Sequence, residues 1–161
     1  MKTLKIFTVL LLTVLFTSLT SGCTQDLGME TPKPLTATDI EDIIQSIDDR
    51  VSWIFENYRD FVYIRAEERN DFYDNDLLAY RLGDEYLGKF DEIVSYDLFY
   101  DIDGRLIYAE IPQYRQTSYS IYFHNDTLIR YVAGYLGVIE EENLDDYMIN
   151  TVEICLENAY E

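Results

Sequence analysis

Residues 93–133 read IVSYDLFYDIDGRLIYAEIPQYRQTSYSIYFHNDTLIRYVA and are rich in Tyr, Ile, Phe and Val. Such residues favour β-strands, and turn-forming residues divide the stretch into candidate strands. Asp103-Gly104 and Asn125-Asp126 tolerate the positive φ that tight hairpins need. The stretch therefore predicts two antiparallel hairpins, with strands over residues 93–100, 105–111, 118–123 and 128–133.

The two predicted hairpins resemble each other in sequence. Residues 99–107 align with residues 121–129, an offset of 121 − 99 = 22, and Tyr, Leu and Ile recur at matching positions. Asp or Asn occupies both turns. Two copies do not make a solenoid, and common hairpin chemistry explains the likeness as well as duplication does.

An amphipathic helix is predicted before this stretch. Thr38-Asp39-Ile40-Glu41 has the form of a capping box. Apolar residues spaced by three and four follow it as far as Phe61, which is the helical pattern. We therefore expect a helix over residues 39–64.

An acidic helix is predicted over residues 140–159, with Asn143 as a plausible N-cap. Residues 71–90 are harder to interpret, with several turn-forming residues and one candidate short strand at residues 77–82. The expected fold class is α+β, with an N-terminal helix, an antiparallel meander of about four to five strands and a C-terminal helix. Both helices are expected to pack on one face of the sheet.

The N-terminus has the features of a secretory signal. Lys2 and Lys5 precede a charge-free apolar run of about 14 residues, Ile6–Leu19, which is shorter than the roughly 20 residues of a membrane-spanning helix. Small residues then lead to a cysteine in the sequence Leu19-Thr20-Ser21-Gly22-Cys23.

This order resembles the lipobox of bacterial lipoproteins, in which small residues precede a cysteine that is acylated and becomes the new N-terminus. The resemblance implies a signal peptide over residues 1–22, lipid attachment at Cys23, and a location on the extracytoplasmic side of the cell membrane. Residues 23–38 then form a flexible tether, and residues 39–161 form a single domain. An ordinary secreted protein cleaved nearby is the alternative.

The charge balance limits the partners. The chain has 31 acidic and 12 basic residues, which gives a formal net charge of −19. Nucleic acid is not expected as a partner, because phosphate binding requires Lys and Arg. Apolar residues make up 48%, with 15 Tyr and 8 Phe, so a core can form and the chain is not a disordered acidic tail.

Few residues are candidates for catalysis. His124, the only histidine, falls at a predicted turn, and we interpret it as a surface polar residue. Cys155 falls on the apolar stripe of the last helix, where a buried core side chain is favoured over a nucleophile. The many carboxylate pairs are interpreted as solvated faces. We therefore predict no enzyme activity and no cofactor.

One segment partly matches a calcium-binding loop. Asp101-x-Asp103-Gly104 and Glu110 fit the later positions of an EF-hand. The first ligand position would be Phe99, which cannot bind calcium, and the flanking sequence alternates as strands. A type I turn with Gly in the left-handed region explains these residues better, so no metal site is predicted.

Tyrosines are clustered on one face of the predicted sheet. With three-residue loops ending at Gly104 and Asp126, one face is almost wholly apolar and forms the core. Its members are Phe99, Ile107, Ala109, Ile111, Ile121, Phe123, Ile129 and Tyr131. The candidate ligand-binding residues on the opposite face are Tyr100, Tyr108, Tyr122, Glu110 and Arg130. Tyrosine suits interfaces, although its high β propensity alone is the alternative explanation.

The predicted function is a lipid-anchored extracytoplasmic binding or envelope-interaction domain. It would contact the membrane through Cys23 and an envelope protein or the cell wall through its sheet. In a general way the domain resembles the many small bacterial lipoproteins of unknown function. The alternatives are a secreted carboxylate-dependent cell-wall hydrolase with two carboxylates in a deep cleft, and an acidic inhibitor or immunity-type protein that docks on a basic partner.

Overall fold

The computed structural model describes residues 34–66, 69–112, 118–134 and 136–160. Every element named below belongs to the compact unit Leu35–Glu161. The predicted signal peptide, Cys23 and most of the predicted tether lie outside the described residues.

Within the described residues, eight antiparallel strands form one sheet between two helices. Each strand pairs with its neighbours in chain order. The elements are α1 (Ala37–Asn57), β1 (Val62–Arg65), β2 (Arg69–Asp74), β3 (Leu77–Leu87), β4 (Glu92–Tyr100), β5 (Leu106–Ile111), β6 (Tyr119–His124), β7 (Thr127–Ala133), β8 (Gly137–Ile139) and α2 (Asp146–Ala159). The α+β class is confirmed, whereas the expected count of four to five strands is too low.

Both helices are capped by residues near those predicted. Thr36, rather than Thr38, makes the capping box, because its side chain accepts a hydrogen bond from the Asp39 N–H and its own N–H donates to the Asp39 carboxylate. Asp145, rather than Asn143, caps α2 by accepting from a backbone N–H of the first turn at 2.8 Å. In both places a short polar side chain satisfies a backbone donor that the helix leaves unpaired.

The first helix is shorter than the predicted range of residues 39–64. It ends at Asn57 and is followed by a 3-10 turn over Tyr58–Asp60. The β-branched residues Val62 and Ile64 then belong to the edge strand β1. The apolar stripe that reaches Phe61 predicted a longer helix, but the β propensity of Val62 and Ile64 and their pairing with β2 prevail.

Two of the hairpins turn through two residues with positive φ. These residues are Asn75 and Asp76 after β2, at 50° and 68°, and Asn125 and Asp126 after β6, at 50° and 59°. Such turns match the twist of the paired strands. The predicted three-residue loop ending at Asp126 is therefore wrong, whereas the one ending at Gly104, with φ of 76°, is confirmed.

Each of three hairpins has a β-bulge a few residues beyond its turn. Phe99 pairs with Tyr108, while the next residue, Tyr100, pairs with Leu106, so Ile107 is an extra residue in β5. The extra residues at the corresponding positions of the other hairpins are Ala79 in β3 and Ile129 in β7. The likeness seen in sequence between two hairpins thus extends to a third, β2–β3.

The two helices cover opposite faces of the sheet. Phe99 of β4 packs in one cluster with Ile47 and Ile54 of α1, whereas its neighbours Leu98 and Tyr100 pack in another cluster with α2. Successive side chains of a strand point to opposite faces. The prediction that both helices pack on one face is therefore wrong.

The core consequently has two layers. The layer on the α2 side contains Leu87, Val94, Tyr96, Leu98, Tyr100, Leu106, Ala109, Ile111, Ile121, Phe123, Tyr131, Ala133, Met148, Ile154, Cys155 and Ala159. The layer on the α1 side contains Ile47, Ile54, Ala79, Tyr80, Phe99 and Tyr108. Tyrosine side chains are buried in both layers. The strands rich in tyrosine therefore form a sheet with two buried faces.

Helix α1 crosses the sheet. Near its start, Glu41 forms an ion pair with Arg130 of β7. Near its end, the Phe55 ring lies 5.1 Å from the Phe99 ring of β4 and 6.3 Å from the Tyr80 ring of β3, measured between centroids. The helix therefore contacts strands that are far apart in the sheet.

A buried ion pair joins the sheet to the end of α2. Arg81 Nε donates to Asp71 Oδ1 at 2.7 Å and Arg81 Nη2 donates to Asp71 Oδ2 at 3.1 Å, and the two side chains are 4% and 8% exposed. Arg81 Nη1 donates to the carbonyl oxygen of Asn158. The last turn of α2 has no basic residue of its own, so Arg81 supplies the positive charge that a helix C-terminus favours.

We expect Arg81→Met to lower the free energy of unfolding by about 3 kcal/mol, because it leaves the Asp71 carboxylate buried without its bidentate partner. Urea denaturation measures this loss. Arg105→Met is the control, since Arg105 lies 3.8 Å from Asp103 in an exposed pair and should change stability by about 0.5 kcal/mol or less. Equal losses in the two variants would contradict the role of the buried pair.

Candidate functional site

The structure divides the predicted tyrosine surface between the two faces of the sheet. Tyr100 is 0% exposed on the α2 side, where its hydroxyl donates to the carbonyl oxygen of Ala159 at 3.2 Å. Tyr108 and Tyr122 lie on the α1 side, with ring centroids 5.0 Å apart. The Tyr122 hydroxyl donates to Asp48 of α1 at 3.1 Å. The prediction that the three tyrosines share one open face is therefore wrong.

The β-bulge in β5 causes this difference. Strict alternation along the strands, on which the predicted faces rest, puts Tyr100, Leu106 and Tyr108 on one face. The extra residue Ile107 puts Leu106 and Tyr108 on opposite faces instead. Burial beside α1 raises the pKa of Tyr108 to about 12, as expected for a tyrosine that α1 shields from solvent.

Arg130 and Glu110 also lie on the α1 side. The Arg130 guanidinium contacts both carboxylate oxygens of Glu41, with Nη1 donating to Oε2 at 3.1 Å and Nη2 donating to Oε1. This hydrogen bonding lowers the pKa of Glu41. Arg130 therefore holds α1 to the sheet, which is a structural role that the sequence did not suggest.

Glu110 lies directly opposite Asp97 of the neighbouring strand. Burial, and then repulsion by Glu110, raise the pKa of Asp97 to about 6, while a hydrogen bond from the Tyr80 hydroxyl acts in the opposite direction. The two carboxylates are neighbours on adjacent strands of one sheet face, so they do not face each other across a cleft as a carboxylate hydrolase would require.

The partial calcium-loop match is part of a turn. Asp101 Oδ1 accepts hydrogen bonds from the backbone N–H groups of Asp103 at 2.8 Å and Arg105 at 2.9 Å. The N–H of Gly104 donates to the Asp101 carbonyl oxygen at 3.2 Å, as in a type I turn. In the part of the chain that the structure describes, no group of three or more His, Cys, Asp or Glu side chains is arranged to hold a metal ion.

Cys155 and His124, the two side chains considered for catalysis, occupy different environments. Cys155 is fully buried in α2, as predicted, and burial raises the pKa of its thiol. His124 is half-buried at the end of β6, which differs from the surface position expected for it. It lines a groove that was not predicted from the sequence.

This groove, here called the hairpin-end groove, lies between α1 and the turns of the β4–β5 and β6–β7 hairpins, and its volume is about 400 Å³. Ile43 and Ile47 line it from α1, and Leu106, Ile107 and Phe123 line it from the hairpins. Ile47 belongs to the core layer on the α1 side, and Ile43 and Ile107 pack against it, so the apolar floor is continuous with that layer. The bulge residue Ile107 contributes to this floor.

Charged and polar groups lie around the apolar floor. Arg50 of α1, Arg105 of the β4–β5 turn and His124 line the groove together with a single carboxylate, that of Asp101. The Asp101 carboxylate already accepts the two backbone hydrogen bonds of its turn. In a chain with 31 acidic and 12 basic residues, two guanidinium groups beside one carboxylate are a local reversal of the overall charge.

Arg50 is held at two points. Its Nε donates to the carbonyl oxygen of Tyr100 at 3.3 Å, and its guanidinium lies 4.5 Å from the centroid of the Trp53 ring. Burial lowers the pKa of Arg50, while the more distant charges of Asp74 and Asp101 act in the opposite direction. Among the described residues, no carboxylate lies within ion-pair distance of this guanidinium.

The sequence marks Arg50 as unusual, because it breaks the apolar stripe of α1. It is three residues after Ile47 and four before Ile54, which places a cation within the apolar stripe of α1. That Arg50 and His124 line the same groove depends on how α1 crosses the hairpins. A groove of this size with an apolar floor and a few polar groups is typical of sites that bind small molecules.

Comparisons with known proteins give no relatives. No protein-family model, curated protein or solved structure matches the chain. Nothing in these comparisons, or in the side chains that the structure describes, points to an enzyme activity. Neither described helix has both the length and the apolar character needed to cross a membrane.

We expect Asp97→Asn to raise the free energy of unfolding by about 1 kcal/mol at neutral pH. A pKa raised from 3.8 to about 6 means that the folded state disfavours the carboxylate, and partial exposure reduces the effect below the full shift. The stability of the wild-type protein therefore falls as pH rises from about 4 to about 6.

Urea denaturation at neutral pH and near pH 4 tests this expectation, because most of the gain should disappear at the lower pH, where Asp97 of the folded protein is protonated. Glu92→Gln, which neutralises an exposed residue at the start of the same strand, is the control and should show no such gain. A variant as stable as the wild type at neutral pH would rule out the unfavourable charge.

Proposed function

We propose that the protein is a lipid-anchored extracytoplasmic binding domain, and that the hairpin-end groove is its ligand site. The single observation that carries the binding role is this groove, because it combines an apolar floor continuous with the core and charged groups at its rim. It replaces the tyrosine face as the candidate binding surface.

The anchoring part of the proposal rests on the sequence Leu19-Thr20-Ser21-Gly22-Cys23 and on the apolar run before it. A diacyl or triacyl cysteine supplies more than one chain, as stable membrane attachment requires. Residues 24–36 separate Cys23 from the first residue of α1. They would act as the tether that keeps this acidic domain away from an anionic bilayer.

The groove can be tested by filling it from the α1 side. Ser46 is exposed and lines the groove, whereas Ser52 is exposed on the same helix and does not line it. The probe is phenylnaphthylamine, a neutral apolar dye whose directly excited fluorescence increases on leaving water. We expect Ser46→Trp to weaken dye binding about tenfold and the control Ser52→Trp to leave it unchanged.

Melting temperatures of both variants establish that the fold is intact. Binding that falls in Ser46→Trp alone supports the groove as a ligand site. A wild-type protein that does not bind the dye, or two tryptophan variants that bind it equally well, would overturn this part of the proposal.

The anchor is tested separately. In a bacterial host we expect Cys23→Ala to release the protein from the membrane fraction or leave it unprocessed, because the acyl chains supply the attachment. The measurement is immunoblotting of membrane and soluble fractions, and Cys155→Ala is the control because that cysteine is buried in the fold. A processed Cys23→Ala protein that stays in the membrane fraction would contradict the lipoprotein assignment.

A further inference from the structure

We propose that the hairpin-end groove binds a small amphipathic anion, whose apolar body lies on the isoleucine-rich floor and whose anionic group pairs with Arg50. This inference rests on the proposed function, since it names the chemical class of ligand for the same groove. Its three supports are the floor, the state of Arg50 and the charge around the rim.

The aliphatic floor of the groove indicates that the body of the ligand is apolar. Ile43 and Ile47 on one wall and Ile107 on the other present aliphatic side chains. Ile102, at the tip of the β4–β5 turn, also lines the groove and is 70% exposed. An apolar ligand body would remove this surface from water, and the gain is proportional to the apolar area covered.

The burial of Arg50 and its lack of an anionic partner indicate that the ligand is an anion. Three other basic side chains, Arg81, Arg130 and Lys89, each have a carboxylate oxygen within 3.1 Å. Arg50 is half-buried and has no such partner among the described residues. A partly desolvated guanidinium without an anion is an unfavourable state that an anionic ligand would relieve.

The contacts of Arg50 also prepare it for binding. The hydrogen bond to the Tyr100 carbonyl oxygen uses Nε, and the Trp53 ring packs against the guanidinium. These contacts leave the two terminal nitrogens without an acceptor among the described residues. A guanidinium fixed in this way loses little side-chain entropy when it pairs with a carboxylate or a similar planar anion.

The rim of the groove carries a second positive charge besides that of Arg50. Arg105 lines the groove at an exposed position, and its guanidinium forms a long, exposed ion pair with Asp103, with Nη2 3.8 Å from Oδ2. The imidazole of His124 lines the groove as well and adds a polar ring that can donate a hydrogen bond. Because the chain as a whole carries a net charge of −19, long-range attraction does not favour anions. The selectivity therefore depends on short-range contacts in the groove.

Two dyes that share one ring system separate the apolar and anionic contributions. Anilinonaphthalene sulfonate carries an anionic group, and phenylnaphthylamine is its neutral parent amine. For the mature wild-type protein we expect the sulfonate to bind about tenfold more tightly than the neutral dye. In Arg50→Gln we expect the sulfonate to lose about tenfold in affinity while the neutral dye is unaffected.

Two matched variants complete the experiment. Arg59→Gln removes the charge of an exposed arginine that also lies over an aromatic ring, that of Tyr58, and that does not line the groove. It should leave both dyes unaffected. Arg50→Lys keeps the positive charge and should retain most of the preference for the sulfonate.

The outcomes separate this inference from the proposed function. If the neutral dye binds and is blocked by Ser46→Trp, but the sulfonate binds no better or is insensitive to Arg50→Gln, the groove remains the ligand site and the anion preference is wrong. An equal loss of sulfonate binding in Arg59→Gln would also overturn the inference, because net charge would then explain it. If neither dye binds the wild-type protein, both proposals fail.

Discussion

Leu98, Phe99 and Tyr100 follow one another in β4 and are all fully buried, two of them against α2 and one against α1. Burying a large apolar side chain contributes about 2–3 kcal/mol, so a strand with both faces buried requires a cover on each side. Neither helix could meet this need alone, because each presents a single apolar stripe. This requirement places α1 on the face opposite α2, where the helix closes one side of the hairpin-end groove.

The bulges adapt the meander to this two-sided packing. A regular strand gives equal numbers of residues to each face, whereas a bulge adds one residue to a chosen face. In the described hairpins the added residues are Ala79, Ile107 and Ile129, and all three pack on the α1 side. The extra apolar surface lies where a single helix must cover several strands, and Ile107 extends it to the floor of the groove.

The sequence predicted the elements with strong periodicity and missed those without it. The stripe of α1 and the strands β4 to β7 follow from the spacing of apolar residues, whereas β2, with the sequence RNDFYD, has no alternation to recognise. The faces were misassigned because a bulge leaves no mark in the apolar pattern. The groove was missed because Arg50, Arg105 and His124 come from three separate elements, and only the path of α1 brings them together.

In a meander whose strands pair in chain order, each strand is hydrogen-bonded only to the strands before and after it in the chain. Sheets of this kind can unravel from either end, as repeat proteins do. Helix α1 removes that freedom, since it contacts β7 near its start and β3 near its end. Loss of either end of the sheet removes part of the surface on which the helix lies. The helix thereby turns a row of hairpins into a single cooperative unit.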